Sequence, residues 1–222
     1  MNFKTYSTNI STFESNKVIR NTYALLGMTL LFSAFVAWIS LIYRLPHPGF
    51  MLTLIGFYGL YFLTLHYSHS KIGVATAFLF TGFTGYTLGP MLDTILRLTA
   101  NGSAIISMAL TMTATVFLGL SAYVLSTRRD FSYMGGLIAI SSLIAIVAAL
   151  FSMMFSSAIF EIGVSCLFAL VSSAYILFHT SEIVHGGERN YIVATLALYI
   201  SIYNLFVSLL HIFLMFSGNN RD

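Results

Sequence analysis

The side chains best suited to chemistry in this sequence fall within ten positions of one another. His179, Glu182, His185 and Glu188 recur at intervals of three. Imidazoles and carboxylates in such a group could hold a cation or exchange a proton. The order does not match HExxH, where two histidines one helical turn apart flank a glutamate. Metal binding is therefore the weaker use, and no metal or cofactor is expected. Proton exchange fits better. His179 and Glu182 stand three apart, near enough on a helix to interact. An ordinary histidine titrates at about pH 6.5, which makes it a natural sensor near neutrality. Other catalytic signatures are missing from the sequence. No serine sits in GxSxG, and no P-loop or dinucleotide-binding glycine pattern occurs. No enzyme is expected. His66 and His69, also three apart, read as interfacial histidines.

These residues belong to longer patterns. Ala158, Glu161, Ser165, Phe168, Ser172, Tyr175, His179 and Glu182 follow a three-four spacing, as do Ala194, Ala197, Ser201, Asn204, Ser208 and His211. Such spacing puts residues on one helix stripe. Each of these helices then has a small, polar face for protein contacts and a broad apolar face. Two readings of the stripes stay open. One is hydrogen bonding between helices, worth about 0.6 kcal/mol per pair. The other is a polar path or proton-sensing site built from His179, Glu182, Ser201 and Asn204. A second small-residue pattern, Gly82, Gly85 and Gly89, lets two backbones approach closely. Ala194, Ala197 and Ser208 are expected to pack in the same way.

The elements that carry these residues are apolar runs, approximately 22–43, 50–66, 72–95, 103–126, 132–155, 157–184 and 190–217. Most are near the roughly 20 residues needed to cross a bilayer core, although the second is short. Hydrocarbon offers backbone groups no water, so each run must be helical. Hydrophobic residues make up 58% of the 222 residues and charged residues 8%, where soluble domains carry about 25% charged. The expected fold is all-α, a polytopic membrane protein with seven transmembrane helices. Residues 1–21 form a polar N-terminal tail, expected to be unfolded or to lie on the membrane. Residues 22–217 form the membrane domain, and 218–222 a short C-terminal tail. The first run is too long for the core of a signal peptide.

Basic residues set the expected orientation. The net charge is +3, but the ten Lys and Arg residues are spread over the joints rather than clustered, so no nucleic-acid partner is expected. With the N-terminus in the cytoplasm, Lys4, Lys17, Arg20, Lys71, Arg128, Arg129 and Arg189 lie inside, seven against three for Arg44, Arg97 and Arg221. The positive-inside rule favours that arrangement and places the C-terminus outside. The joints have their own chemistry. Pro46-His47-Pro48-Gly49 is a stiff turn. Gly89-Pro90 is expected to end or kink the third span. Asp93 and Arg97 are spaced for an ion pair. His185, Gly186, Gly187 and Glu188 open a tight hairpin between the last two spans.

Several stretches resemble a known family. They are Lys17–Tyr23, Phe80–Pro90 and Ser121–Arg129. The most specific is Thr180-Ser181-Glu182-Ile183-Val184-His185-Gly186-Gly187-Glu188-Arg189-Asn190-Tyr191, which continues through Leu196. Together they resemble the Bax inhibitor-1 family, also called the transmembrane Bax inhibitor motif family, in its bacterial YccA-type branch. The resemblance implies seven helices with the last one central, in the bacterial inner membrane. It implies a non-enzymatic partner of the membrane AAA protease FtsH, with or without that protease's membrane regulators, which FtsH also degrades. Other bacterial members resemble pH-sensitive calcium leak channels, gated by two aspartates on the last two helices and an arginine on the second. Here His179 and Ser201 stand at the aspartate positions, and the second run has no Arg or Lys. Calcium conduction is thus the alternative expectation, and protease modulation the favoured one.

Overall fold

The computed structural model describes residues 3–152, 154 and 157–218, with side chains from Asn16 to Ser217. Among them the chain forms seven α-helices: α1 (Phe3–Ile42), α2 (Phe50–His66), α3 (Ile72–Leu98), α4 (Gly102–Thr127), α5 (Gly135–Ser152), α6 (Ala158–His185) and α7 (Tyr191–Gly218). A single 3-10 turn, Ser132–Met134, leads into α5. Six stretches are long and apolar enough to cross a membrane, the first being Asn16–Ile42. The shorter α2 has 17 residues, at the lower end of the spanning range. Large apolar side chains stand open to the surroundings, among them Leu31 (74% exposed), Ile55 (68%) and Leu143 (63%). A water-facing surface does not tolerate so much exposed hydrocarbon. The chain is a polytopic membrane protein.

Two findings depart from the sequence expectations. Residues 3–21 are helical and continuous with α1. No Gly or Pro interrupts residues 3–26, so a helix nucleated in the span extends at little cost, because propagation is far easier than nucleation. Pro90 does not end α3, which runs on to Leu98. A proline inside a helix removes the amide that would bond the carbonyl four residues earlier. That carbonyl belongs to Tyr86, and the Ser40 hydroxyl of α1 donates to it at 3.0 Å. The freed acceptor is thereby satisfied from the neighbouring helix.

The chain divides into two units. One contains α1, α2, α3 and the first turns of α7, through Ala197. Within it, α3 packs on both α1 and α2. Gly85 lies against the Ser33 carbonyl and Gly89 against Ser40, while the Phe32 ring covers Gly82. On the other side of α3, the Phe83 ring lies against Gly56 of α2, and Phe80 meets Phe57 edge-on at 5.1 Å. The Tyr86 hydroxyl donates to the Pro46 carbonyl at 2.6 Å, tying α3 to the α1–α2 turn. Asp93 and Arg97 form an exposed ion pair at 2.8 Å.

The other unit contains α4, α5, α6 and α7 from Leu198. Here α6 packs on α4 and α5, over a core that includes Ala109, Val124, Ile138, Ala145 and Ile176. Of the spanning stretches α7 is the most buried: 67% of its apolar window is enclosed, against 11% for 132–152.

Candidate functional site

The end of α6 is built by its turn chemistry. Gly186 adopts φ 76°, a left-handed conformation that costs glycine nothing. The Gly187 amide then donates back to the Glu182 carbonyl at 2.8 Å, closing the helix with a Schellman turn. The Glu182 carboxylate lies over Gly187, in the space a Cβ would need. One turn earlier, the half-buried His179 ring stacks on Tyr175, with centroids 5.4 Å apart and planes 11° apart. It also meets Phe178 edge-on at 5.3 Å. The Tyr175 and Ser142 hydroxyls are hydrogen-bonded at 3.1 Å, which joins α6 to α5.

His179 and Glu182 therefore face different neighbours. All their described ring and polar partners lie on α6 or its turn. Among the described residues, no three His, Cys, Asp or Glu side chains are grouped to hold a metal ion. His179, Glu182, His185 and Glu188 are not gathered into a ligand set. Of the rest of the α6 stripe, only Ser172 is fully buried; Ala158 is exposed.

Four residues further on, His185 and Ser181 grip the α4–α5 loop. Arg128 there has φ 49°, which turns the chain sharply out of α4. His185 Nε2 lies 3.0 Å from the Arg128 carbonyl oxygen. The Phe131 amide donates to the Ser181 hydroxyl at 2.8 Å. Asp130 shapes the same loop by accepting from the Ser132 amide at 2.8 Å and the Ser132 hydroxyl at 2.6 Å. Those donors hold the Asp130 carboxyl below the usual carboxylate range. The grip joins residues fifty or more positions apart, and no local spacing in the sequence signals it.

The hairpin continues into the first unit. The Glu188 carboxylate accepts from the Asn190 amide at 2.7 Å. Asn190 caps α7, its Oδ1 accepting from the Ile192 and Val193 amides at 2.9 and 3.4 Å. Its Nδ2 donates to the Ser68 carbonyl at 3.0 Å, fixing the cap to the α2–α3 turn. The Thr195 hydroxyl bonds the Tyr191 carbonyl at 2.6 Å and lies 3.3 Å from the Thr22 carbonyl of α1. Asn190 was not among the residues singled out by spacing, although an Asn directly before a long apolar run is a cap signal.

On α7, Ala194, Ser201 and Ser208 are buried and Ala197 is half-buried, but Asn204 and His211 are exposed. The expectation that the whole stripe faces protein fails at those two. A three-four stripe slides about 20° per heptad around a 3.6-residue helix. The centre of the buried face runs instead through Leu198, Ile202, Leu205 and Leu209. Ser201 and Ser208 stay on its edge, and Asn204 and His211 fall beyond it.

A family model described as "Inhibitor of apoptosis-promoting Bax1" matches residues 15–218. The chain belongs to the Bax inhibitor-1 family. The matched range takes in six of the helices whole and α1 from residue 15 onward. This family member is 48% identical, over 91% of both chains, to the Escherichia coli K12 protein named "Modulator of FtsH protease YccA". It is similar to the same extent to "Inner membrane protein YccA" of Escherichia coli O6:H1. It is 51% identical, over 93% of both chains, to an uncharacterized protein of Pseudomonas aeruginosa.

Proposed function

We propose that this chain is a non-enzymatic protein of the bacterial inner membrane that binds and restrains the membrane AAA protease FtsH. The observation that carries this reading is the 48% identity, across 91% of both chains, to the relative named as a modulator of that protease. The architecture suits the role. Most of the described residues are helical, with little polypeptide between helices, so a partner is met chiefly through side chains facing lipid, short turns and the polar start of α1. The calcium-leak alternative has less support, because His179 and Ser201 stand where that mechanism needs acids. An affinity-tagged form extracted from native membranes in mild detergent should bring FtsH with it. Recovery of the tagged protein free of FtsH, from cells that contain both, would sink the reading.

The proposed topology has seven crossings, with α2 as a short one and α7 as the central helix, a placement its burial supports. At about 1.5 Å per residue, the 17 residues of α2 reach roughly 25 Å. A small local thinning of the bilayer accommodates that length. The N-terminus is cytoplasmic and the C-terminus outside, following the basic asymmetry. A reporter that works only in the cytoplasm should stay silent when fused after Asp222. A bright C-terminal fusion would mean that α2 does not cross.

A further inference from the structure

We propose that His185 is a proton-operated clasp that holds the α4–α5 loop against the end of α6. Its Nδ1 lies 2.9 Å from the Ser181 carbonyl oxygen, and its Nε2 lies 3.0 Å from the Arg128 carbonyl oxygen. A carbonyl oxygen can only accept. A neutral imidazole carries one N–H and donates to one of these oxygens, turning a lone pair on the other. The imidazolium donates to both.

Ser181 makes the exchange concrete. Its hydroxyl oxygen accepts from the Phe131 amide at 2.8 Å. Its single hydrogen has two destinations, the Arg129 carbonyl at 3.4 Å or His185 Nδ1 at 3.3 Å. With His185 charged, that hydrogen goes to Arg129, and three bonds tie the helix to the loop with a fourth inside α6. With His185 neutral and protonated on Nε2, the Ser181 hydrogen turns to Nδ1. Arg129 is then released, and the Ser181 carbonyl faces a lone pair. The neutral ring protonated on Nδ1 instead leaves the Arg128 carbonyl facing a lone pair, so in either tautomer the second ring proton decides how firmly Arg128–Phe131 is held.

The surrounding charges act in both directions. Asp130 in the loop is negative; its own carboxyl is held low first by the Ser132 hydroxyl and amide, with a smaller coulombic contribution from His185. The Arg128 and Arg129 side chains of the same loop are positive. Glu182, one turn back on α6, is negative. Glu188 and Arg189, which follow in the chain, are opposite in sign. The helices packed on α6, α4 and α5, contain no Asp, Glu, Lys, Arg or His. At this end they and the 3-10 turn add only the phenols of Tyr123 and Tyr133, a group that ordinarily ionises near pH 10. The device makes presentation of a basic loop depend on pH, and it stands whether or not the protease is the partner.

Hydrogen–deuterium exchange of a peptide covering Phe131, in the intact protein in lipid nanodiscs, tests the clasp. Protection factors corrected for intrinsic rate are compared at pH 5.5 and pH 8. The wild type should lose protection roughly tenfold at the higher pH, the effect of about one hydrogen bond. His185→Gln should abolish that dependence, and His179→Gln should keep it. A measurement on the wild type alone guards against a variant that fails to fold. The 15N shifts of the His185 ring should report two protonated nitrogens at pH 5.5 and one at pH 8. Equal wild-type protection at both pH values, an unchanged pH response in His185→Gln, or a ring in the same protonation state throughout would overturn the proposal.

Discussion

Gly85→Ala lowers the stability of the folded membrane domain by about 1–3 kcal/mol, the usual cost of overpacking a tight contact, while Gly27→Ala does not lower it. Both glycines lie on helices of the first unit. At Gly85 an added Cβ would meet the backbone carbonyl of Ser33, and backbone cannot rotate away as a side chain can. The contact forces α1 and α3 apart over the stretch where Gly85 and Gly89 let them approach closely. At Gly27 an added methyl meets nothing within 4 Å. There the change removes glycine's helix penalty of roughly 0.5–1 kcal/mol. Equilibrium unfolding in mixed micelles reads both variants against the wild type. A Gly85→Ala protein as stable as the wild type would mean that α1 does not sit on α3 as described.

Ser40→Ala is expected to destabilise by about 1–3 kcal/mol, because it leaves the Tyr86 carbonyl without a donor inside the bilayer. The cause is Pro90, which took away that carbonyl's own amide partner. Pro90→Ala returns the amide. In that background Ser40→Ala should cost at least about 1 kcal/mol less, a coupling that a double-mutant cycle measures directly. Equal costs in the two backgrounds would show that the Ser40 hydroxyl does not serve the carbonyl freed by Pro90.

The same pair shows how far this fold could be read from its sequence. The seven helices follow the seven apolar runs to within a few residues at most ends, because in lipid an apolar run has no alternative to a helix. The large exception, residues 3–21, is polar and gains its helicity from the span it continues. Gly89-Pro90 reads as an end or a kink of α3, and the end is excluded because Ser40, fifty residues away and invisible to local pattern, bonds the carbonyl that Pro90 frees. The three-four stripe of α7 has the correct periodicity but lies off the centre of the buried face, since spacing finds a face without saying how far it extends. At the hairpin, the cluster of His and Glu was legible as unusual chemistry. Its partners were not. His179 turns to two aromatic rings, Glu182 to a glycine turn and His185 to a loop more than fifty residues away.

The most direct test of protease modulation is proteolysis in a reconstituted bilayer. FtsH from the same bacterium is placed in proteoliposomes with a membrane-protein substrate, and this chain is co-inserted at increasing ratio. A saturable, several-fold fall in the rate of substrate loss is expected, absent when an unrelated multi-pass protein is inserted in equal amount. An unchanged rate, with co-insertion verified in the same vesicles, would contradict it.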